Sequence, residues 1–183
     1  MAFLARALAA VAVVSLGWAV PARAQGETIE DQVKAAFLYN FTKYVDWPEA
    51  AFQDASDPFR MCVAASPRFV RTVESLISGE TARGRPIKLV TPGQQELHRC
   101  HLLFTGAQEA QRVNSVLPSL SARPILTVAD SQNQFDHGSA ILLVVDDSRV
   151  RFDINVRAIE KAGLRVSSKL LRVARNVREE PRR

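Results

Sequence analysis

A chain of 183 residues with 24 Lys and Arg against 19 Asp and Glu carries a formal charge of +5, and 47% of it is hydrophobic. That length and apolar content describe one ordinary folded domain with a full core, neither a disordered chain nor a multidomain one. The eight glycines include no G-x-G pair, which excludes a dinucleotide fingerprint and a phosphate-binding P-loop.

Residues 1–24 read as a secretory leader. Arg6 supplies the positive start, Ala7 to Val20 the apolar run, and Ala22-Arg23-Ala24 the small-residue cleavage site before Gln25. The run is short for a membrane span of about 20 residues. No cysteine sits at the cleavage point, so a lipid anchor is not indicated. A single domain over 25–183 is expected, in the periplasm of the exporting cell. Without Arg6 and Arg23 the mature chain is only slightly basic, and much of its excess lies in Arg172, Arg175, Arg178, Arg182 and Arg183. These arginines lack interleaved aromatics, so they read as a solvated helix face and tail rather than a nucleic-acid surface.

Ile29, Val33, Phe37, Phe41, Tyr44 and Val45 recur at helical spacing and predict a long amphipathic helix that ends before Trp47-Pro48. Asn40, beside that stripe, reads as a residue bonding to a neighbouring loop. Phe59 to Ala64 is a first strand, and Ser66-Pro67 opens a helix with proline at its first position. Ile87 to Val90 is a second strand and His101 to Phe104 a third. Ala107 to Leu117 is a helix, Pro124 to Val128 a fourth strand, and Asp130 to Gly138 a polar loop.

The stretch from Ala140 to Val177 carries most of the remaining core. Ala140 to Val145 is an unbroken apolar run of the kind buried on both faces of a parallel sheet. Asp146-Asp147-Ser148 turns the chain, and Val150, Phe152 and Ile154 then alternate with Arg149, Arg151, Asp153 and Asn155. That alternation predicts a half-buried strand at the sheet edge, with the charged set facing solvent. Two helices follow, one stopping at Gly163 and one running from Leu170 to Val177 behind a cap at Ser167 or Ser168. Strands and helices alternate, so the expected fold is α/β: a three-layer, mostly parallel sheet flanked by helices, with an antiparallel C-terminal edge hairpin.

No catalytic set emerges. There is no G-x-S-x-G elbow. Asp146-Asp147 reads as a turn pair, not a phosphoacceptor pocket. His98-Arg99-Cys100-His101 offers metal-ligand types, yet they cannot converge if His101 begins a strand, and a fourth ligand is missing. The cysteines say more. Cys62 lies in the first strand and Cys100 just before the third, and a doubly wound sheet of order 2-1-3 makes those strands parallel neighbours. Their β-carbons would then come within disulfide reach, a bond worth about 4 kcal/mol in chain-entropy terms. Two buried free thiols are the alternative.

Ala35 to Pro48 (AAFLYNFTKYVDWP), Gly84 to Ile87, Cys100-His101, Arg123 to Val128, Val150 to Asn155, Ala162 to Leu164 and Ser167 to Leu171 together resemble the YfiR/HmsC family of periplasmic regulators. The match runs in order along the mature chain. The resemblance implies a non-enzymatic repressor with no cofactor, metal or nucleic acid. Its implied partner is the periplasmic sensor region of an inner-membrane diguanylate cyclase, whose cyclic-di-GMP output and biofilm promotion it holds down. An OmpA-like outer-membrane lipoprotein can sequester such repressors, and family members tend to form homodimers. Cys62 and Cys100 match the family's core cysteine pair; a second pair found in some members is absent. Candidate partner-binding residues are Tyr44, Trp47 and Pro48, although Trp47 reads equally well as a core plug at a helix–sheet corner. A small-ligand-binding module, with its site at the carboxyl ends of the parallel strands, is the alternative function. A hydrolase with an unrecognised site is a third.

Overall fold

The computed structural model describes residues 28–179; the expected leader and the last two arginines lie outside them. In chain order the helices are α1 (Ile29–Tyr44), α2 (Pro67–Ile77), α3 (Ala110–Asn114), α4 (Leu117–Leu120), α5 (Gln132–Asp136), α6 (Val156–Lys161) and α7 (Ser168–Val173). The strands are β1 (Val45–Asp46), β2 (Phe59–Ala64), β3 (Thr81–Ala82), β4 (Arg85–Val90), β5 (Leu102–Thr105), β6 (Leu126–Ala129), β7 (Ile141–Asp146), β8 (Arg149–Asn155), β9 (Arg165–Val166) and β10 (Asn176–Arg178).

Eight strands form one sheet in the order β10-β8-β7-β6-β5-β2-β4-β3, and β1 pairs with β9 in a small ribbon of its own. From β4 through β2, β5 and β6 to β7 every pairing is parallel, while β7 and β8 form an antiparallel hairpin. The expected α/β architecture is therefore the observed one, including the 2-1-3 order of the first three predicted strands.

Side-chain alternation along the strands builds two cores. Met61, Val63, Leu102, Phe104, Leu126, Val128, Ile141, Leu143, Phe152 and Ile154 face α1, α2, α6 and α7. Cys62, Ala64 and Leu103 face the other way, onto Val113 of α3 and Leu120 of α4. Helices thus cover both faces, which a parallel sheet requires.

Four local expectations change. The row Ile29, Val33, Phe37, Phe41, Tyr44 winds off the buried side of α1: Ile29 is 81% exposed and Tyr44 39%, while Ala35, Leu38, Phe41 and Thr42 are buried. Steps of four residues overshoot a turn by about 40°, so an i, i+4 row drifts around a long helix. The predicted helix from Ala107 breaks into a 3₁₀ turn, α3 and α4, with Pro118 in the first turn of α4. Proline cannot donate back to the preceding turn, so α3 cannot run through it. The polar loop after Asp130 contains α5, capped by the Ser131 hydroxyl accepting from Gln134 N–H at 3.4 Å.

The fourth change concerns the C-terminus. The last helix stops at Val173, and Val177 lies in β10, which pairs in parallel with β8 and covers the outer side of the hairpin. Asp153 explains this. It is only 6% exposed, contrary to the expected solvent-facing set, and a buried carboxylate needs donors. Arg175 Nε and Nη2 reach its oxygens at 2.8 and 2.6 Å, and Asn176 Nδ2 at 3.2 Å. Arg175 N–H adds a bond to the Phe152 carbonyl at 2.8 Å. Arg178 is engaged too, with Asp136 at 3.1 Å and over the Phe135 ring. Arg175 and Arg178 are thus fasteners rather than parts of a solvated face, while Arg172 is exposed as expected.

Candidate functional site

The predicted partner-binding residues sit where α1 hands the chain to β2. Val45 pairs with Val166, and the Tyr44 carbonyl accepts from Ser167 N–H at 2.8 Å, so the exit of α1 is tied to the α6–α7 connection. Tyr44 and Pro48 are exposed; Trp47 between them is half-buried. Its indole N–H donates to the His101 carbonyl at 3.0 Å, and its ring stands edge-on to Phe59 at 4.9 Å. Trp47 therefore plugs the corner between helix and sheet, with Tyr44 and Pro48 beside it at the surface.

The segment that follows is pinned from three sides. His101 is 3% exposed. Its Nδ1 accepts the Arg60 N–H at 2.8 Å and its Nε2 lies 3.0 Å from the Ala51 carbonyl. Since Nδ1 must be an acceptor, the proton sits on Nε2 and the ring is neutral. Burial, first of all, pushes its pKa below the ordinary histidine value. Both ring nitrogens are occupied, so His101 is a structural hub and not a metal ligand. Among the described residues no group of three His, Cys, Asp or Glu could hold a metal ion.

Phe52 stacks on His101 at 4.4 Å and carries the Arg85 guanidinium over its ring at 3.9 Å. That guanidinium donates to the carbonyls of Asp54 (2.8 Å), Ala55 (3.2 Å) and Asp57 (2.7 Å). The buried Asp57 carboxylate accepts the Gln53 N–H at 3.1 Å and pairs with Arg60 at 2.8 Å. A loop whose carbonyls are so fully used is held in one shape.

Cys62 and Cys100 are disulfide-bonded, with α-carbons 5.8 Å apart. The bond joins β2 to the residue before His101. Disulfide, His101 and Trp47 thus form one continuous column, which the sequence presented as three unrelated features. The Cys100-His101 dipeptide was the available signal. Arg85 stood within the Gly84 to Ile87 segment of the family resemblance, but its role had no signal, because its partners are backbone carbonyls 28 to 31 residues away.

The other candidates scatter. Asp146 faces Arg151 at 3.8 Å across the hairpin, and Asp147 and Ser148 take left-handed conformations of a tight two-residue turn, with φ of +46° and +60°. They make a turn, not an acidic pocket. Asn40 is exposed.

At the carboxyl ends of the parallel strands, where the alternative reading expects a ligand crevice, the chain packs closely. Gly106 N–H bonds the Ala64 carbonyl at 2.8 Å, and a β-carbon at Gly106 would meet that of Ala65 at 3.3 Å. The first turns of α1 close it from above: Lys34, 7% exposed, reaches Glu30 at 2.6 Å and Asp130 at 2.7 Å. Burial pulls the Lys34 pKa down, but its bonds to Asp130 and Glu30 outweigh this and leave it raised. Asp130 is pushed up, burial outweighing Lys34. A cavity of about 1020 Å³ lies at the opposite edge, between α4 and α6.

A three-layer α/β domain whose central strands are stapled by a disulfide, with a pinned aromatic corner at the amino ends of β2 and β5, defines the class. The chain belongs to the YfiR/HmsC-like family, whose model matches residues 31–175. The crystal structure of a conserved domain protein from Vibrio cholerae O1 biovar El Tor strain N16961 has the same fold, with a TM-score of 0.54 at 10% identity. The likeness covers 81% of this chain, which spans 60% of the length of that one. No helix among the described residues is long and apolar enough to cross a membrane.

Proposed function

We propose that the chain is a periplasmic negative regulator that binds the sensor region of an inner-membrane diguanylate cyclase and holds down cyclic-di-GMP synthesis and biofilm formation, without catalysis or cofactor. The observation that carries this reading is the family match over residues 31–175. A disulfide at the centre of the sheet suits the oxidising compartment that the leader implies. Tyr44, Trp47 and Pro48 are the proposed contact residues, because a pinned corner presents its exposed side chains without paying ordering entropy on binding. Dimer formation and release by an OmpA-like lipoprotein belong to the same reading.

The test is genetic. Deleting the gene raises cyclic-di-GMP and surface attachment when the cyclase gene is intact, and has no effect in a strain lacking the cyclase. Unchanged cyclic-di-GMP with the cyclase expressed refutes repression and favours the ligand-binding alternative. Tyr44→Ala, which removes an exposed ring, reproduces the deletion while the protein stays folded if this corner meets the cyclase.

A further inference from the structure

Glu30, Glu109, Asp130, Asp146 and Asp147 stand at the carboxyl edge of the parallel strands. Of the cations there, Lys34, Arg112 and Arg151 are paired with those carboxylates. At the amino edge Arg99 precedes β5, Arg123 precedes β6, and Arg157 and Lys161 stand on α6; all four are exposed. None of the four forms an ion pair among the described residues.

The cavity of about 1020 Å³ crosses this basic edge. Leu117, Ile125, Ala158 and Ala162 give it an apolar floor, and Arg157 and Lys161 its charged rim. Those two cations are four residues apart on one helix, a spacing at which like charges repel. Glu160 also lines the groove but bridges to neither, and Arg178 is taken by Asp136 at 3.1 Å. Asp136 offsets Arg178 and Glu160 offsets one of the other two cations, so the rim keeps a net positive charge beside an apolar floor.

We infer that this groove docks an acidic segment of a partner protein, its carboxylates held by Arg157 and Lys161 and its apolar side chains laid on the floor. The groove runs beneath the edge of the sheet, from α4 on one face to α6 on the other. Such an open trough suits a length of chain better than a small molecule, which binds where most of its surface is enclosed. His137 is the one aromatic side chain on its lining, so single-stranded nucleic acid finds no run of rings to stack on. Its hollow shape does not fit a flat lipid surface. Arg99 and Arg123, exposed along the same edge and outside any ion pair among the described residues, would steer an acidic partner toward it. The site does not depend on the partner being a cyclase.

The test uses the mature protein and a short fluorescein-labelled peptide of alternating Glu and Leu, followed by anisotropy. Binding is expected, weakening as salt is raised, and lost at least about tenfold in Arg157→Glu/Lys161→Glu with the melting temperature unchanged. Arg71→Glu, on α2 away from the groove, keeps full binding. A Lys–Leu peptide of the same length does not bind. The inference is overturned if the Glu–Leu peptide fails to bind, or binds the reversed-charge variant equally well. It is likewise overturned if free leucyl-glutamate or anionic vesicles compete at the concentration of the peptide.

Discussion

Asp153 is where the structure departs most from the expected surface, and replacing it tests the account of the C-terminus. The carboxylate accepts three side-chain hydrogen bonds, at 2.8 and 2.6 Å from Arg175 and 3.2 Å from Asn176, and is 6% exposed. Charge-assisted bonds contribute about 1.5–3 kcal/mol each in isolation. They act here as one unit, and the Arg175 side chain, 32% exposed, recovers water when released. The expected loss for Asp153→Ala is therefore about 2–3 kcal/mol, well below the sum of three bonds. Urea denaturation measures it, and hydrogen exchange locates it: the amides of β10 should lose protection while β2 and β5 keep theirs. The pH dependence follows from the sign of the shift. Burial raises the Asp153 pKa, but the bonds from Arg175 and Asn176 outweigh it and leave it lowered. A carboxylate with a lowered folded pKa stabilises fully above its unfolded value, about 3.9, and loses this as pH falls through the folded value. The gap between wild type and Asp153→Asn should be constant near neutrality and close in strong acid. A variant within about 0.5 kcal/mol of wild type, with β10 still protected, refutes the fastening role of Asp153.

Phe152, 2% exposed and edge-on to Phe37 and Phe41 at 5.3 Å each, should cost about 3–5 kcal/mol as Phe152→Ala in the same denaturation experiment. Arg149→Ala, exposed at the hairpin tip, should stay within about 0.5 kcal/mol. Thiol titration of the denatured, unreduced protein should find no free thiol; closing a loop with separation 38 is worth about 4 kcal/mol, so Cys62→Ser should melt earlier but still fold. His101 uses its neutral form in both ring bonds, and its folded pKa is lowered. Its contribution is full above the unfolded value of about 6.5 and lost as pH falls through the folded one, so the difference from His101→Phe should shrink on acidification. Intact mass from a periplasmic extract checks cleavage after Ala24; a retained Met1 refutes it.

What could be read in advance shares one property: it depends on neighbours in sequence. Ser66-Pro67 marks its helix because cap and first-turn proline act within one turn, and the Ser66 hydroxyl does accept from Phe69 N–H at 3.3 Å. The disulfide was readable because only the order of three strands was needed, and 2-1-3 is a common order of doubly wound sheets. Asp153 was misjudged because strict alternation treats every second residue as wet, and a distant arginine can make a buried carboxylate tolerable. β10 was missed for the same reason, since a three-residue strand with two exposed residues carries no pattern of its own. The corner at Trp47 was half legible. Aromatic crowding before a proline marked the place, but whether the indole faces water or core is decided by His101, 54 positions away in sequence.

The amino edge of the sheet then acquires a unity that no motif announced. The pinned corner lies under β2 and β5, the basic groove under β6 and β8, and the Cys62–Cys100 bond braces the strands between them. The carboxyl edge, where a doubly wound sheet ordinarily takes its ligand, is occupied by Lys34 and its carboxylates. A partner long enough to touch both corner and groove would meet rigid backbone throughout, so its affinity would respond to exposed side chains rather than to loop order. Tyr44→Ala and Arg157→Glu should then weaken one binding event by additive free energies, because the two sites are separate and neither orders the other. If either single variant leaves this binding unchanged, the corner and the groove do not serve one partner; a double variant that loses much less than the sum shows that the two sites are coupled after all.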